Sequence, residues 1–556
     1  MKKLTLSLSL AIALGFASLQ AKEVTINFAH IGDLHGHLVP RDHVVGKSSL
    51  QQGGLARLYT AIEDIRKEDK ETILINTGDT VQGGAEVLYT RGEAIITVLN
   101  EFGINYGALG NWDHLYGKKR TAELFFNKDK MANWTSLTSN VYDEKSGKTV
   151  SKPWEITEVK GVKIGVIGFT SERPAMAVGP SGFKGLKFTD GDAEYAKYVA
   201  ELRGQVDVLV VISELGLAKN IKLAKEIPGV DFIFSSDMHE ITTKEVILES
   251  GTVVVEEGQD GTRVGHMAVR VDNGKVTGHT FTMRTIDASI KGNEKIKALV
   301  AKVRAPFLND KDAKKHVSQF SHKHLHGEIE KVIGVTDVDL HRANFSDADE
   351  MPAVVEGSSH DFIAEVFRVE SGADLGVIRG FRYGTHVAKG DIVREDLFHY
   401  IPISPWVGVG EITGQQLKNY LEKAAYGSLA PDASLWTGGW NHTVSGAKYD
   451  LNPNAKKGEM VSNITILKNG KYEAIDLKKT YTMAGYTYNE EPSKVNKIPL
   501  KNVKFVRDAS QKKLEAYEVI ERYLSKHHAN PEMNRINLVE PLRASNYKNP
   551  EIQPLP

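Results

Sequence analysis

Residues 24–35, VTINFAHIGDLH, carry the reading that decides the fold. Val24 to His30 forms a mostly apolar run of strand length, and the chain then turns at Gly32 into Asp33-Leu34-His35. A short apolar run closed by a turn residue reads as a buried strand. Alternate residues of an extended segment point the same way, so Asp33 and His35 can grip one ion. Four further runs end alike: Ile73–Asn76 in Gly78-Asp79, Tyr106–Leu109 in Gly110-Asn111, Val208–Ile212 in Ser213-Glu214, and Val230–Phe234 in Asp237-Met238-His239. Gly78 and Gly110 allow a tight turn just before the candidate ligand. Alone, a Gly-Asp is ordinarily a turn and an Asp-x-His a satisfied polar pair. Here order and strand-end placement agree in all five blocks. In an open α/β sheet, ligands bind in the crevice outside the carboxyl ends of the strands. The five blocks can therefore converge although they are far apart in sequence.

Around them, Val162–Phe169 and Val253–Val255 read as further strands, and Leu55–Arg66 and Glu93–Phe102 repeat apolar residues at helical spacing. The alternation predicts a layered α/β domain over residues 22–286. Residues 287–350 are richer in charge and are expected to form a connector, with a helix at Glu294–Val303. A second domain, 351–556, is expected to contain helices at His360–Val369, Leu417–Ala425 and Leu514–His527, with the segment Asp374–Ile378 following the first of them.

The 556 residues include 70 basic and 71 acidic side chains and no cysteine. That excludes disulfides, thiolate metal sites and a cysteine nucleophile, and the near-zero net charge gives no general pull toward nucleic-acid polymers. Lys2 and Lys3 precede an apolar run from Leu4 to Leu19, which is 16 residues long. A bilayer-spanning helix needs ~20. With Ala21 as a small residue at the cut, residues 1–21 are predicted to be an export signal. The mature chain is then expected in a periplasm, without a membrane span.

Gly32-Asp33-Leu34-His35, Asn76-Thr77-Gly78-Asp79-Thr80, Gly110-Asn111 and Asp237-Met238-His239 together resemble the calcineurin-like metallophosphoesterases, specifically the 5′-nucleotidase superfamily. Leu340–Phe345, the run Gly380-Phe381-Arg382-Tyr383-Gly384-Thr385, Ala484-Gly485-Tyr486 and Asn534–Leu538 are most similar to the thiosulfohydrolase branch of the sulfur-oxidising (Sox) system, as is Trp112, where nucleotidases carry His. The resemblance implies an α/β fold: a four-layer β-sandwich flanked by helices, plus a smaller α+β C-terminal domain that binds substrate. It also implies two divalent ions, one held by Asp33, His35 and His239 and the other by Asn111, Glu214 and Asp237, with Asp79 bridging. Such a pair activates water and neutralises charge on a tetrahedral group under attack.

The chain departs from the superfamily pattern at Glu214 and Asp237, where His is usual. Four carboxylates, Asp33, Asp79, Glu214 and Asp237, then face two divalent ions. Such a shell suits manganese or another hard cation, with zinc, iron or magnesium as the other choices. Trp112 cannot assist a phosphoryl transition state as His does. Asp113 and His114 are therefore candidates to handle a proton, against the plainer readings of a loop carboxylate bonded to backbone N–H groups and a supporting histidine. Arg379 and Arg382 carry planar forks suited to phosphate or sulfonate oxygens. Trp436, Trp440 and Tyr486 are candidates to stack on a substrate, and His37 to support the ligands. His322, His324 and His326 alternate, which fits an exposed connector better than a metal site.

The expected function is an exported dinuclear-metal hydrolase that cleaves a thiosulfonate held on a sulfur-carrier protein and releases sulfate. A nucleotide phosphomonoesterase and a non-catalytic metal or anion binder are the alternatives.

Overall fold

The computed structural model describes residues 23–45, 48–172, 180–341, 354–378, 386–432, 435–437, 441–487 and 493–542. The expected export signal lies outside them, as do Arg379, Arg382 and Trp440.

Two six-stranded sheets face each other in the N-terminal part. The first runs in the order Lys275–Thr285, Arg263–Asp272, Val24–Ile31, Ile73–Asn76, Tyr106–Gly107, Thr135–Ser136. The second runs Val246–Ile247, Val253–Glu256, Phe232–Ser235, Val208–Ser213, Val162–Phe169, Trp154–Val159. Alternation along each strand explains the layering. Ile26 and Phe28 meet Ile75, Val166, Val210 and Phe234 between the sheets. Ala29 and Ile31, on the opposite face, join helices Leu55–Glu68 and Glu93–Leu99 in a second apolar layer. Val211 and Ile233 pack outward against helices Asp192–Leu202 and Leu217–Glu226. The result is the helix–sheet–sheet–helix sandwich that the resemblance implies.

The inner strands are parallel, with Phe28 opposite Ile73, Ile75 opposite Tyr106 and Val210 opposite Phe232. Their carboxyl ends therefore open on one edge. All five ligand blocks leave from that edge.

The C-terminal part is α+β. A five-stranded sheet (Val444–Ser445, Leu375–Val377, Thr480–Thr487, Trp406–Thr413, Lys501–Phe505) is accompanied by a four-stranded sheet that ends in Ile536–Leu538. Helices Ser358–Ser371 and Gly414–Leu429 belong to it, longer than their apolar spacing suggested. The segment expected as a connector divides. Helix Glu294–Arg304, capped by the Asn293 side chain on the Ile296 N–H, packs on helix Leu55–Glu68. Strand Val332–Thr336 instead pairs antiparallel with Gly390–Val393 of the C-terminal part. No helix among the described residues is long and apolar enough to cross a membrane.

Candidate metal centre

The loop after each parallel strand is pinned to the next, which brings the ligand blocks together. Asp33 N–H donates to Gly78 O at 2.9 Å and His35 N–H to Asp79 O at 3.0 Å, so the first two loops run side by side. Asp237 N–H donates to Asp33 Oδ2 at 2.9 Å, which joins the two sheets across the edge. At Gly110 a Cβ would overlap Asp79 Oδ1, so only glycine lets the third loop approach the second.

Three atoms converge at one position. Asp33 Oδ1 lies 3.4 Å from His35 Nε2 and 3.3 Å from His239 Nε2. The two Nε2 atoms are 3.0 Å apart. Two ligands at right angles, each ~2.1 Å from one cation, stand about 3.0 Å apart, so the spacing fits a shared ion. A second group, Asp33, Asp79 and Glu214, offers three carboxylate oxygens within 4.8 Å of one another. Asp33 belongs to both groups. Asp79 reaches both as well, its Oδ2 lying 3.8 Å from His35 Nε2. Asn111 is buried beside them, and its Oδ1 meets no hydrogen-bond donor, a state that costs ~1–3 kcal/mol unless a ligand or ion compensates it. Asp237 is tied in through its backbone, while its carboxylate belongs to neither three-atom group.

Backbone strain marks the same residues. Asp33, His35, Asp79, Asp237 and His239 have φ of 45°, 43°, 44°, 94° and 60°, all in the left-handed region. Non-glycine residues held there cost of order ~1–3 kcal/mol each and persist where the surroundings over-determine them, characteristically at functional sites. Burial opposes ionisation of Asp33, yet His239 and His35 hold its carboxyl well below the usual carboxylate range. Burial lowers His35 to about 4, so its imidazole is neutral and has a lone pair to give.

Several supporting residues left no clear mark in the sequence. Gln82 Oε1 sits 3.1 Å from His35 Nδ1. With Nδ1–H donating there, Nε2 is left as the ligand atom. His30 Nε2 lies 2.7 Å from Glu257 Oε2 and 3.2 Å from Thr77 Oγ1, behind the Asp33 turn. A buried chain runs from Ser213 through Asn220 and Ser235 to Glu256, whose other oxygen accepts the Glu240 N–H beside His239. Gln82 had the best available signal, lying three residues after Asp79 in a glycine-rich loop. The others are ordinary polar residues until the fold brings them together. His37, expected to support the ligands, places Nδ1 3.2 Å from Asp260 Oδ1 and packs tilted against His399 with centroids 4.2 Å apart.

The remaining candidates fare differently. Asp113, a candidate to handle a proton, accepts three backbone N–H groups from the loops. His114, the other such candidate, is fully buried, packs edge-on against Phe188, has neither ring nitrogen hydrogen-bonded, and is lowered by burial to about 3. Tyr486 lies on strand Thr480–Thr487 in the apolar core and is 2% exposed. Trp436 donates Nε1–H to Ala430 O and packs with it on the helices of the second sheet, the plainer role of joining the two parts. His324 binds Lys314 O and His326 binds Glu518, so these histidines do not share a ligand.

Residues 26–240 match the calcineurin-like phosphoesterases, and residues 332–492 match the 5′-nucleotidase C-terminal domain. The sulfate thiohydrolase SoxB of Thermus thermophilus superposes with a TM-score of 0.77 at 18% identity, covering 95% of this chain and 98% of that one. A 5′-nucleotidase precursor from the same species gives 0.75 at 19%, covering 93% and 100%. The trifunctional nucleotide phosphoesterase YfkN of Bacillus subtilis is 22% identical over 82% of this chain, which spans only 31% of it. The 5′-nucleotidase of Vibrio cholerae is 22% identical over 84% of this chain and 85% of its own length. The sandwich, the strand-end ligand loops and the second domain agree with both matches, and this chain belongs to the calcineurin-like phosphoesterases that carry a 5′-nucleotidase C-terminal domain.

Proposed function

We propose that the chain is a dinuclear-metal hydrolase acting on a tetrahedral oxyanion, with a thiosulfonate as its preferred substrate class. The observation that carries the reading is the convergence of Asp33, His35, His239, Asp79 and Glu214 at one sheet edge, four of them in left-handed backbone. Asp33, His35 and His239 would hold one cation. Asp79, Asn111 and Glu214 would hold the other, with Asp237 beside them. Two such cations supply a water-derived nucleophile near neutral pH and offset charge on the attacked group.

The chain's own residues set what that pair can do. Gln82 fixes which His35 nitrogen faces the centre. Four carboxylates cancel the charge of two divalent ions, which favours manganese or another hard cation. A neutral centre attracts a dianionic phosphate weakly and penalises a monoanionic thiosulfonate less. Trp112, 6% exposed, brings no imidazole to a phosphoryl group. Losing one comparable electrostatic donor costs ~10²–10³ in rate. In thiosulfonate hydrolysis the S–S bond breaks, water's oxygen ends on sulfate and the thiolate leaves, so no redox partner is needed. We propose that the sulfonate is carried on a cysteine of a partner protein, anchored by Arg379 and Arg382 with Trp440 as a further contact, and met in a periplasm after removal of residues 1–21. Nucleotide phosphomonoester hydrolysis is the second reading, favoured by the similarity to the Vibrio cholerae 5′-nucleotidase over most of both chains.

The test is metal analysis of the purified protein, followed by turnover of S-sulfocysteine and of free nucleotides with manganese, zinc, iron and magnesium. Two equivalents of metal, and faster turnover of the sulfonate with manganese, are expected. Efficient hydrolysis of free nucleotides would return the chain to the second reading. Absence of both activities would leave a binder.

A further inference from the structure

Asp113 is 1% exposed and lies two residues beyond Asn111. Its Oδ1 accepts the N–H of Thr80 at 2.9 Å and of Val81 at 3.0 Å, and its Oδ2 accepts the N–H of Gly110 at 3.0 Å. These amides belong to two different loops, one carrying Asp79 and the other Asn111. The clip is returned from the other side, where Asp79 Oδ1 accepts the Trp112 N–H at 2.8 Å. Thr121 Oγ1 donates to Asp113 O at 3.1 Å and seats the segment from behind.

The chemistry of this clip calls for a carboxylate. Three N–H donors converge on two oxygens, and hydrogen bonds to an ionised acceptor are roughly twice as strong as neutral ones. An amide of the same size offers one oxygen and one NH₂, so one backbone donor would face another donor. Asp79 needs such support because its left-handed φ of 44° is a conformation that only its surroundings maintain.

We infer that Asp113 is the positioning residue of the second metal position. It holds residues 78–81 and 110–112 in register, so that Asp79 and Asn111 present oxygens to the same cation. The inference rests on the dinuclear reading above. The position built from Asp33, His35 and His239 meets Asp113 only through Asp79 and has three ligand groups of its own, whereas the second depends on both loops that Asp113 joins, so the two positions should respond differently to its loss.

The experiment titrates metal-free protein with Mn²⁺ alone by calorimetry, alongside a thermal melt, for the unmodified chain, Asp113→Asn and Thr121→Val. The unmodified chain is expected to take two equivalents. Asp113→Asn should keep one near its original affinity and weaken the other at least tenfold. Thr121→Val should lower the melt without splitting the two affinities. If Asp113→Asn does not fold, Asp113→Glu takes its place, with the same loss confined to one equivalent. Unchanged affinities in the Asp113 variant, or equal loss of both equivalents in step with the melt, would overturn the positioning role. Fewer than two equivalents in the unmodified chain would instead remove the dinuclear reading on which it rests.

Discussion

His114 shows how burial alone redirects a residue whose sequence position suggests chemistry. With no hydrogen-bond partner at either ring nitrogen, it stays neutral and its pKa falls to about 3. An unfolded chain would protonate it near 6.5, so its contribution to stability is fully present above that value. It is lost as the pH falls toward 3, with a slope of up to ~1.4 kcal/mol per pH unit. His114→Leu should flatten that part of the acid limb in chemical unfolding followed from pH 7 to pH 4. An unchanged acid limb would place the acid sensitivity elsewhere. The candidate metal ligands present the opposite case. Their residue types and spacing were legible because Asp33, His35, Asp79, Asn111, Glu214, Asp237 and His239 all follow apolar runs, and residue type carries the donor chemistry. What spacing did not reveal was that Asp113 spends both oxygens on backbone amides, since a carboxylate reads alike whether it faces a substrate or a loop.

At the scale of the elements, the parallel strands and their loops form the working unit. The third loop can lie against the second only because residue 110 has no side chain; a Cβ would strike Asp79 Oδ1 and also crowd the Asp79 backbone nitrogen. Gly110→Ala should therefore push the two loops apart. Overpacking of this kind costs typically ~1–3 kcal/mol. The distinguishing outcome is that metal is lost as well as stability, read as fewer bound equivalents at a temperature where far-UV circular dichroism still reports a folded chain. Full metal content in that variant would show that the loops give way without disturbing Asp79. Helix and strand positions followed from apolar periodicity, whereas their ends did not. Helix Gly414–Leu429 starts three residues before the expected Leu417 because Thr413 and Gln416 close a reciprocal cap. Strand Tyr106–Gly107 stops earlier than its apolar run because the chain turns toward the ligand loops.

Across the whole molecule, the two parts share charge and core. Arg304 Nε binds Glu86 Oε1 at 2.6 Å, its Nη2 binds Glu395 Oε2 at 2.7 Å, and Arg41 Nη1 reaches Asp396 Oδ1 at 3.1 Å. Glu86 follows the Asp79 loop, while Glu395 and Asp396 lie in the C-terminal part, so the arginines tie the ligand edge to the second domain. Burial opposes ionisation of Glu395, yet Arg41, His399 and Arg304 hold it down at about 2. An apolar core continues across the junction from Leu55 and Ile95 to Phe362, Leu397 and Tyr517. Removing one partner of a buried charge pair costs ~3–5 kcal/mol because the other is left uncompensated. The unmodified chain should unfold in one calorimetric transition, and Arg304→Met should lower its midpoint and split it into two. A single transition in the variant would mean that the apolar core alone couples the parts.

By itself, the sequence determined the layered α/β class, the five strand-end blocks and the donor chemistry of the site, because apolar periodicity and residue type are local properties. Only the tertiary structure decided that Asp33 belongs to both candidate ligand groups, that Asp113 meets three backbone amides and His114 none, that Tyr486 lies in the core and that Arg304 joins the domains. Each of these depends on which distant backbone amide, carboxylate or ring lies opposite a side chain, and that is set by how the sheets and loops pack.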